Sequence, residues 1–171
     1  GKYALFDLTS NGTTKYAILH LGMSGRVFWL PPEKKLPHER IPHERAALIF
    51  DDASRLAFID PRTFGSLRCS DELTSLFASL GPDALDRHAL TPLTFHQRLA
   101  KGKRPVKSVL LDQKVIAGLG NIYADEALFA AHIHPLRPAQ SLTQKESHRL
   151  LNAARHVLER SIACGGSSLG K

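Results

Sequence analysis

Lys114-Val115-Ile116-Ala117-Gly118-Leu119-Gly120-Asn121-Ile122-Tyr123 decides how the second half of this chain folds. Two glycines and an asparagine join two helical stretches through a connection with room only for tight turns. Upstream, residues 106–113 read as a helix set off by Arg104-Pro105. Downstream, Asn121 is expected to cap a helix over 122–131 that ends before His134-Pro135. The first amides of that second helix, together with its dipole, make an anion site. Gly120 lets a phosphate approach the backbone closely. A lone Gly-x-Gly is a weak signal. Lys101, Lys103, Arg104 and Lys107, just upstream, add the cations that turn it toward nucleic acid and a helix–turn–helix variant.

The rest of the second half is also helical. Thr91-Pro92 opens one helix, with proline at the first helical position. Thr143-Gln144-Lys145-Glu146 is a capping box. Behind it Leu150, Leu151, Ala154, Val157, Leu158 and Ile162 recur at helical spacing until Gly165-Gly166 closes the helix. Ser70, followed by Asp71 and Glu72, is expected to cap a further helix that Gly81-Pro82 stops.

Charge separates the two halves. The 171 residues carry 23 Lys plus Arg and 16 Asp plus Glu, a net +7. Residues 1–90 hold 11 basic and 11 acidic side chains, and residues 91–171 hold 12 and 5, so all the excess lies in the helical half. A polyanion partner fits this distribution, and on charge alone a plain soluble basic surface fits equally well.

Residues 1–70 read as short strands. Residues 3–8 and 15–21 flank the turn Ser10-Asn11-Gly12, and 26–30 resumes after Gly22-Met23-Ser24-Gly25. A Pro-rich loop spans 31–42 and holds the first half of a repeated Pro-His-Glu-Arg, which reads as solvated. Residues 46–50 and 55–60 flank Asp51-Asp52-Ala53-Ser54, and 65–69 is a last strand. The pattern predicts an antiparallel sandwich or barrel. The composition changes somewhere in 70–92.

An apolar fraction of 43% supports a packed core. No apolar run reaches the ~18 residues of a membrane span, and the start shows no signal-peptide pattern. Two cysteines, Cys69 and Cys164, make neither a four-cysteine zinc site nor a disulfide framework, and two buried free thiols are expected. His132 and His134 are too close to ligate from one helix face, so no metal site is expected.

Two loops of the strand half carry further chemistry. Met23, the one methionine, sits between glycines in a strand-breaking turn, where it can act as a wedge against stacked bases. In Asp60-Pro61-Arg62-Thr63-Phe64-Gly65, Arg62 and Phe64 project to the same side of an extended backbone. A cation beside an aromatic suits stacking and an exposed base edge. Each loop taken alone favours a plainer account, with Met23 folded back over the sandwich end, Phe64 tucked inward and Arg62 paired with Asp60.

Together the stretches are far more specific. His-Leu-Gly-Met-Ser-Gly-Arg from His20, Asp-Pro-Arg-x-Phe-Gly from Asp60, Leu-Asp-Gln-Lys-x5-Gly-Asn-Ile-Tyr-Ala-x-Glu-Ala-Leu-Phe from Leu111 and the following Ile-His-Pro occur in order. With Gly1-Lys2-Tyr3 and Gly165-Gly166-Ser167-Ser168-Leu169, they resemble the formamidopyrimidine-DNA glycosylase family over essentially the whole chain. The Met23 loop favours the formamidopyrimidine/8-oxoguanine branch over endonuclease VIII. The resemblance implies an α+β fold: an incomplete antiparallel β-sandwich over 1–70, a connecting helix and linker over 71–91, and an all-α helix–two-turn–helix domain over 92–171. It implies base excision repair: flipping of an oxidised purine, cleavage of its glycosidic bond, and lyase nicking of the strand. The family's N-terminal Pro-Glu and C-terminal four-cysteine zinc finger have no counterpart in these residues, so an internal fragment is expected that binds DNA without turnover. Zinc is expected only in the full-length protein.

The resemblance carries roles residue by residue. Met23, Arg62 and Phe64 resemble the void-filling trio, with Arg62 facing the orphaned cytosine. Lys2, His20 and Asn121 resemble phosphate-gripping residues, and Lys107, Ile122, Tyr123, Gly166, Ser167 and Ser168 resemble lesion-recognition residues. Thr63 departs from a common second basic residue, Gly170-Lys171 from the usual Arg-Asp, and the turn over 9–14 is longer than usual. The implied partner is damaged double-stranded DNA, bound by a monomer in the bacterial cytoplasm, on the nucleoid and away from membranes. A non-catalytic helix–two-turn–helix binding module is the alternative, and it has no need of two wedge loops. A protein-interaction domain conflicts with the concentrated positive charge. Attack on the sugar needs an unprotonated amine, which an α-amine (pKa ~7.7–8.0) supplies more easily than a lysine (~10.4), so Lys2, Lys107 and Lys114 are not nominated as nucleophiles. These 171 residues alone are therefore expected not to be trapped by borohydride on 8-oxoguanine DNA; an adduct at a lysine would overturn that expectation.

Overall fold

The computed structural model describes residues 2–10, 12–32 and 41–166. They fall into two compact units, Lys2–Ser75 and the chain from Leu76 onward.

The first unit holds β1 (Ala4–Ser10), β2 (Thr13–His20), β3 (Arg26–Leu30), β4 (Glu44–Ile49), β5 (Arg55–Ile59) and β6 (Ser66–Ser70). They form two three-stranded antiparallel sheets, β1-β2-β6 and β3-β5-β4. The central strands carry the buried apolar residues: Ala17, Ile18 and Leu19 on β2, Ala57 and Phe58 on β5. The expected hairpin between β4 and β5 closes where Phe50 N–H donates to the Ser54 carbonyl and the Asp52 carboxylate accepts Ser54 N–H at 2.8 Å. Opposite β5, the register of β4 shifts between Glu44 and Ala46, so Arg45 is the extra residue of a bulge. Such a bulge re-aims its side chain, and Arg45 donates to the carbonyls of Asp60 and Pro61 beyond the end of β5.

Ser70 does not cap a helix. It still pairs with Tyr16 as the last residue of β6, and its hydroxyl donates to the Glu72 carbonyl at 2.6 Å. Asp71 is drawn to Lys15 on β2 at 3.1 Å, so the helix starts later and is short: α1 (Thr74–Ala78).

The second unit is helical: α2 (Pro92–Leu99), α3 (Val106–Leu111), α4 (Asn121–Ala130), a 3-10 turn at Ala139–Ser141, and α5 (Gln144–Ala163). Thr91 caps α2 with Pro92 inside it, as expected. Phe95, Leu110, Ile116, Leu119, Leu128, Leu150 and Leu151 form one buried core, with α5 against both α2 and α4. Residues 81–90 belong to it. Ala84 and Leu90 are fully buried, and Ala84 and Ala117 are bound through Ala84 N–H to Ala117 C=O and Ala117 N–H to Pro82 C=O. The carbonyls of Ala84 and Leu90 find their donor in buried Arg155, at 2.8 and 2.6 Å. On α5 the expected apolar face is buried at Leu150, Leu151, Ala154 and Leu158, while Ile162 in the last turn is exposed.

The capping box of α5 is complete. Glu146 accepts Thr143 N–H at 2.8 Å and two guanidinium N–H groups of Arg137. The Arg137 hydrogen bond, then those from Thr143, hold its pKa at about 2 against an ordinary 4.5. A carboxyl held low stabilises the fold above its unfolded pKa and loses that contribution as pH falls through the folded value. Glu146→Gln is expected to flatten the decline in stability between pH 4.5 and about 2, as read by urea unfolding of both proteins across that window.

Candidate nucleic-acid interface

In the first unit the Met23 loop and the Arg62 loop meet. The Met23 loop leaves β2 through Gly22, whose φ of +61° suits glycine, and closes with Gly25 N–H on the Leu21 carbonyl at 2.8 Å. The Arg62 loop leaves β5 through Asp60. Glycine is required where they touch. A Cβ on Gly22 would lie 2.6 Å from the Phe64 carbonyl carbon, and one on Gly65 would lie 2.5 Å from the Phe58 ring and 2.7 Å from the His20 carbonyl oxygen.

The side chains stand outward. Met23 is 74% exposed and Phe64 58%, so neither folds back into the sandwich. The Arg62 guanidinium lies 5.3 Å from the centroid of the Phe64 ring. They share a side, but not through extended backbone: Thr63 between them has φ +58° and donates its hydroxyl to the Arg62 carbonyl. Asp60 accepts hydrogen bonds from Ser24 Oγ at 2.5 Å, Gly65 N–H at 2.7 Å and Arg62 N–H at 3.3 Å. The Ser24 hydroxyl, then the Gly65 amide, keep its carboxyl below the usual range.

His20 ends β2 beside these loops. Its Nδ1 accepts Gly22 N–H at 3.1 Å, which leaves Nε2 as the protonated nitrogen of the neutral ring. Burial lowers its pKa, with neighbouring positive charges, Lys2 and Arg68 among them, acting the same way. Tyr3 packs on it at 5.0 Å between centroids. Lys2 is exposed just before β1.

In the second unit Gln113 shapes the two-turn connection between α3 and α4. Its Oε1 accepts Gly118 N–H at 3.0 Å and its Nε2 donates to the Leu119 carbonyl at 2.9 Å. The cap of α4 is Gly120, not Asn121, and Gly120 makes no side-chain capping hydrogen bond. Asn121 is the first helical residue and is exposed. Lys107 pairs with Asp125 at 2.8 Å.

A groove of about 330 Å³ runs between α4 and α5. It brings together Ile122, Tyr123 and Gly166, three of the expected lesion-recognition residues, and adds Glu126, Arg160 and Ser161. The Tyr123 hydroxyl hydrogen-bonds to Ser161. The sequence reading missed these three, although Glu126 follows Ile122 by one helical turn and so shares its face. Ser167 and Ser168, and the first Pro-His-Glu-Arg at 37–40, lie outside the described residues. Both cysteines are exposed, not buried.

The comparisons agree over both units. Residues 1–67 match the model of the formamidopyrimidine-DNA glycosylase N-terminal domain and residues 80–171 that of the formamidopyrimidine-DNA glycosylase H2TH domain. The formamidopyrimidine-DNA glycosylase of Photorhabdus laumondii is 43% identical over 170 residues, 98% of this chain and 60% of that protein. The crystal structure of the MutM (Fpg) protein from Thermus thermophilus superposes with a TM-score of 0.82 at 41% identity, over 99% of this chain and 60% of that one. The Lactococcus lactis Fpg in complex with Fapy-dG containing DNA gives 0.84 at 30% identity, over 100% and 64%. The chain is α+β, with two antiparallel sheets followed by a helix–two-turn–helix unit. This chain belongs to the formamidopyrimidine-DNA glycosylase family, and it spans about 60% of the length of the curated relatives it matches.

The zinc finger implied by the family resemblance needs four cysteines. This chain has two, Cys69 in the first unit and Cys164 in the second. Among the described residues no three His, Cys, Asp or Glu side chains are grouped to hold an ion, and no helix is long and apolar enough to cross a membrane. These residues do not fit that zinc.

Gly65→Ala is expected to destabilise the first unit by about 1–3 kcal/mol, because a buried ring and a backbone oxygen must both give way. Chemical denaturation followed by the fluorescence of Trp29 measures it.

Proposed function

We propose that this chain is the damage-reading part of a base-excision DNA glycosylase with lyase activity, which removes oxidised purines such as 8-oxoguanine and formamidopyrimidines from duplex DNA. The observation that carries it is the exposed triplet of Met23, Arg62 and Phe64 on two interlocked loops. Exposed apolar side chains on a rigid edge are costly in a free protein and suit one that fills a gap in a base stack. The relative from Lactococcus lactis in complex with Fapy-dG containing DNA supports the substrate class.

Extruding a base costs a few kcal/mol in lost stacking and pairing. Met23 and Phe64 refill the stack, and Arg62, through its planar guanidinium, donates to the acceptors of the orphaned cytosine. Lys2, His20 and Asn121 hold phosphates. For His20 the donor is Nε2–H of a neutral ring, since Nδ1 is engaged by Gly22. For Asn121, the first residue of α4, the helix N-terminus adds backbone donors. The groove between α4 and α5, with Ile122, Tyr123 and Gly166, receives the flipped base, with Lys107, Ser167 and Ser168 completing its recognition. One set of wedges serves one lesion, as a monomer requires, and the bacterial relatives support a cytoplasmic site on the nucleoid. The basic helical half contributes the sequence-independent grip.

Arg62→Ala in the full-length protein is expected to reduce the preference for cytosine opposite the lesion by about tenfold, the worth of a charged hydrogen-bonding pair. Excision rates on duplexes with each opposite base test it. Unchanged preference would refute the assigned role.

A further inference from the structure

Asp60 carries none of the chemistry described so far, and it is fully buried at the root of the Arg62 loop. All its polar groups are engaged. Its N–H donates to the His43 carbonyl and its own carbonyl accepts from the bulged Arg45 at 2.8 Å. Its Oδ1 accepts from Ser24, the residue after Met23, and from the Arg62 amide; its Oδ2 accepts from Gly65, the residue after Phe64.

The carboxylate therefore ties, at the residue itself or one residue away, each of the three side chains that face outward. Ser24 lies on the other loop, 36 positions earlier in the chain. An ionised carboxylate is the one common side chain that accepts from three donors without offering a proton of its own. An asparagine would turn an NH2 toward the Gly65 amide or the Ser24 hydroxyl, and a buried donor would face a donor.

We propose that Asp60 is a positioning residue that locks the two loops into one rigid body, so that Met23, Arg62 and Phe64 enter the DNA stack together. This rests on the wedge role proposed above. Loops held separately would each have to be ordered on the DNA, and the geometry of a gap-filling trio would be lost.

The test uses the full-length protein, Ser24→Ala, Asp60→Asn and, for reference, Met23→Ala. Each is titrated against undamaged duplex and against duplex with a tetrahydrofuran abasic analogue opposite cytosine or adenine, with 2-aminopurine beside the lesion. Thermal unfolding of each variant is recorded alongside. Ser24→Ala and Asp60→Asn are expected to lose about tenfold in preference for cytosine, together with the 2-aminopurine unstacking signal, as Met23→Ala loses that signal. Binding to undamaged duplex stays within about twofold, because phosphate contacts supply it. Should Asp60→Asn fail to fold, Ser24→Ala, which leaves the carboxylate two amide donors, decides the matter. Variants that melt lower yet keep both the cytosine preference and the unstacking signal would reduce Asp60 to a purely structural role and overturn the proposal. An unsubstituted protein with no preference for the damaged duplex would overturn the wedge role itself, and this proposal with it.

Discussion

A buried carboxylate is tolerated only where hydrogen bonds replace the water it lost, and at Asp60 that requirement organises one whole end of the strand unit. Ser24, Arg62 and Gly65 must all present their donors to one side chain. Other features follow from keeping those donors in place. The bulge at Arg45 sends a guanidinium to the carbonyls on either side of the Asp60–Pro61 bond. Gly22 and Gly65 allow the loop backbones to touch. Thr63 accepts a left-handed conformation that no β-branched residue prefers. With the polar backbone consumed inside, the exterior is left to Met23, Phe64 and the Arg62 guanidinium.

The helical unit solves a similar problem with different side chains. The tight connection between α3 and α4 satisfies only part of its backbone from within, as where Val115 and Ile116 N–H donate to the Asp112 carbonyl. Gln113 reaches in as both acceptor and donor, and the strand-like bridge between Asp83 and Ala117 takes further groups. Arg155 serves the carbonyls of the segment before α2 from inside the core. Burial lowers its pKa, yet guanidinium is so basic that it stays charged. At the start of α4 the cap is a glycine, which makes no side-chain capping hydrogen bond. Helix N-terminal amides of this kind suit a phosphate.

Element identities were legible because their signals are local. Period-two alternation, turn dipeptides, the Thr91 and Thr143 caps and the spacing of α5 depend on neighbours within a few residues. Elements failed where a distant partner intervened. Ser70 has the chemistry of a cap, but β2 claims it as a strand residue. Asn121 has the chemistry of a cap, but the backbone turns one residue earlier, at Gly120. The site was legible in part. Met23, Arg62 and Phe64 stand out by type and by glycine neighbours. Asp60 read only as a possible partner for Arg62, because nothing local signals its bond to Ser24. Glu126, Arg160 and Ser161 are ordinary helix residues until two helices are laid together.

By itself, then, the sequence determined the order of strands and helices, the neutral and basic halves, and the family, since each rests on residue type and short-range spacing. Only the tertiary structure decided which way Met23 and Phe64 point. Each loop taken alone favours folding back or tucking inward, and exposure at the edge goes with a carboxylate whose donors come from both loops at once. Likewise the neutral, Nε2-protonated state of His20 follows from one amide hydrogen bond and from burial, neither of which a string of residues contains.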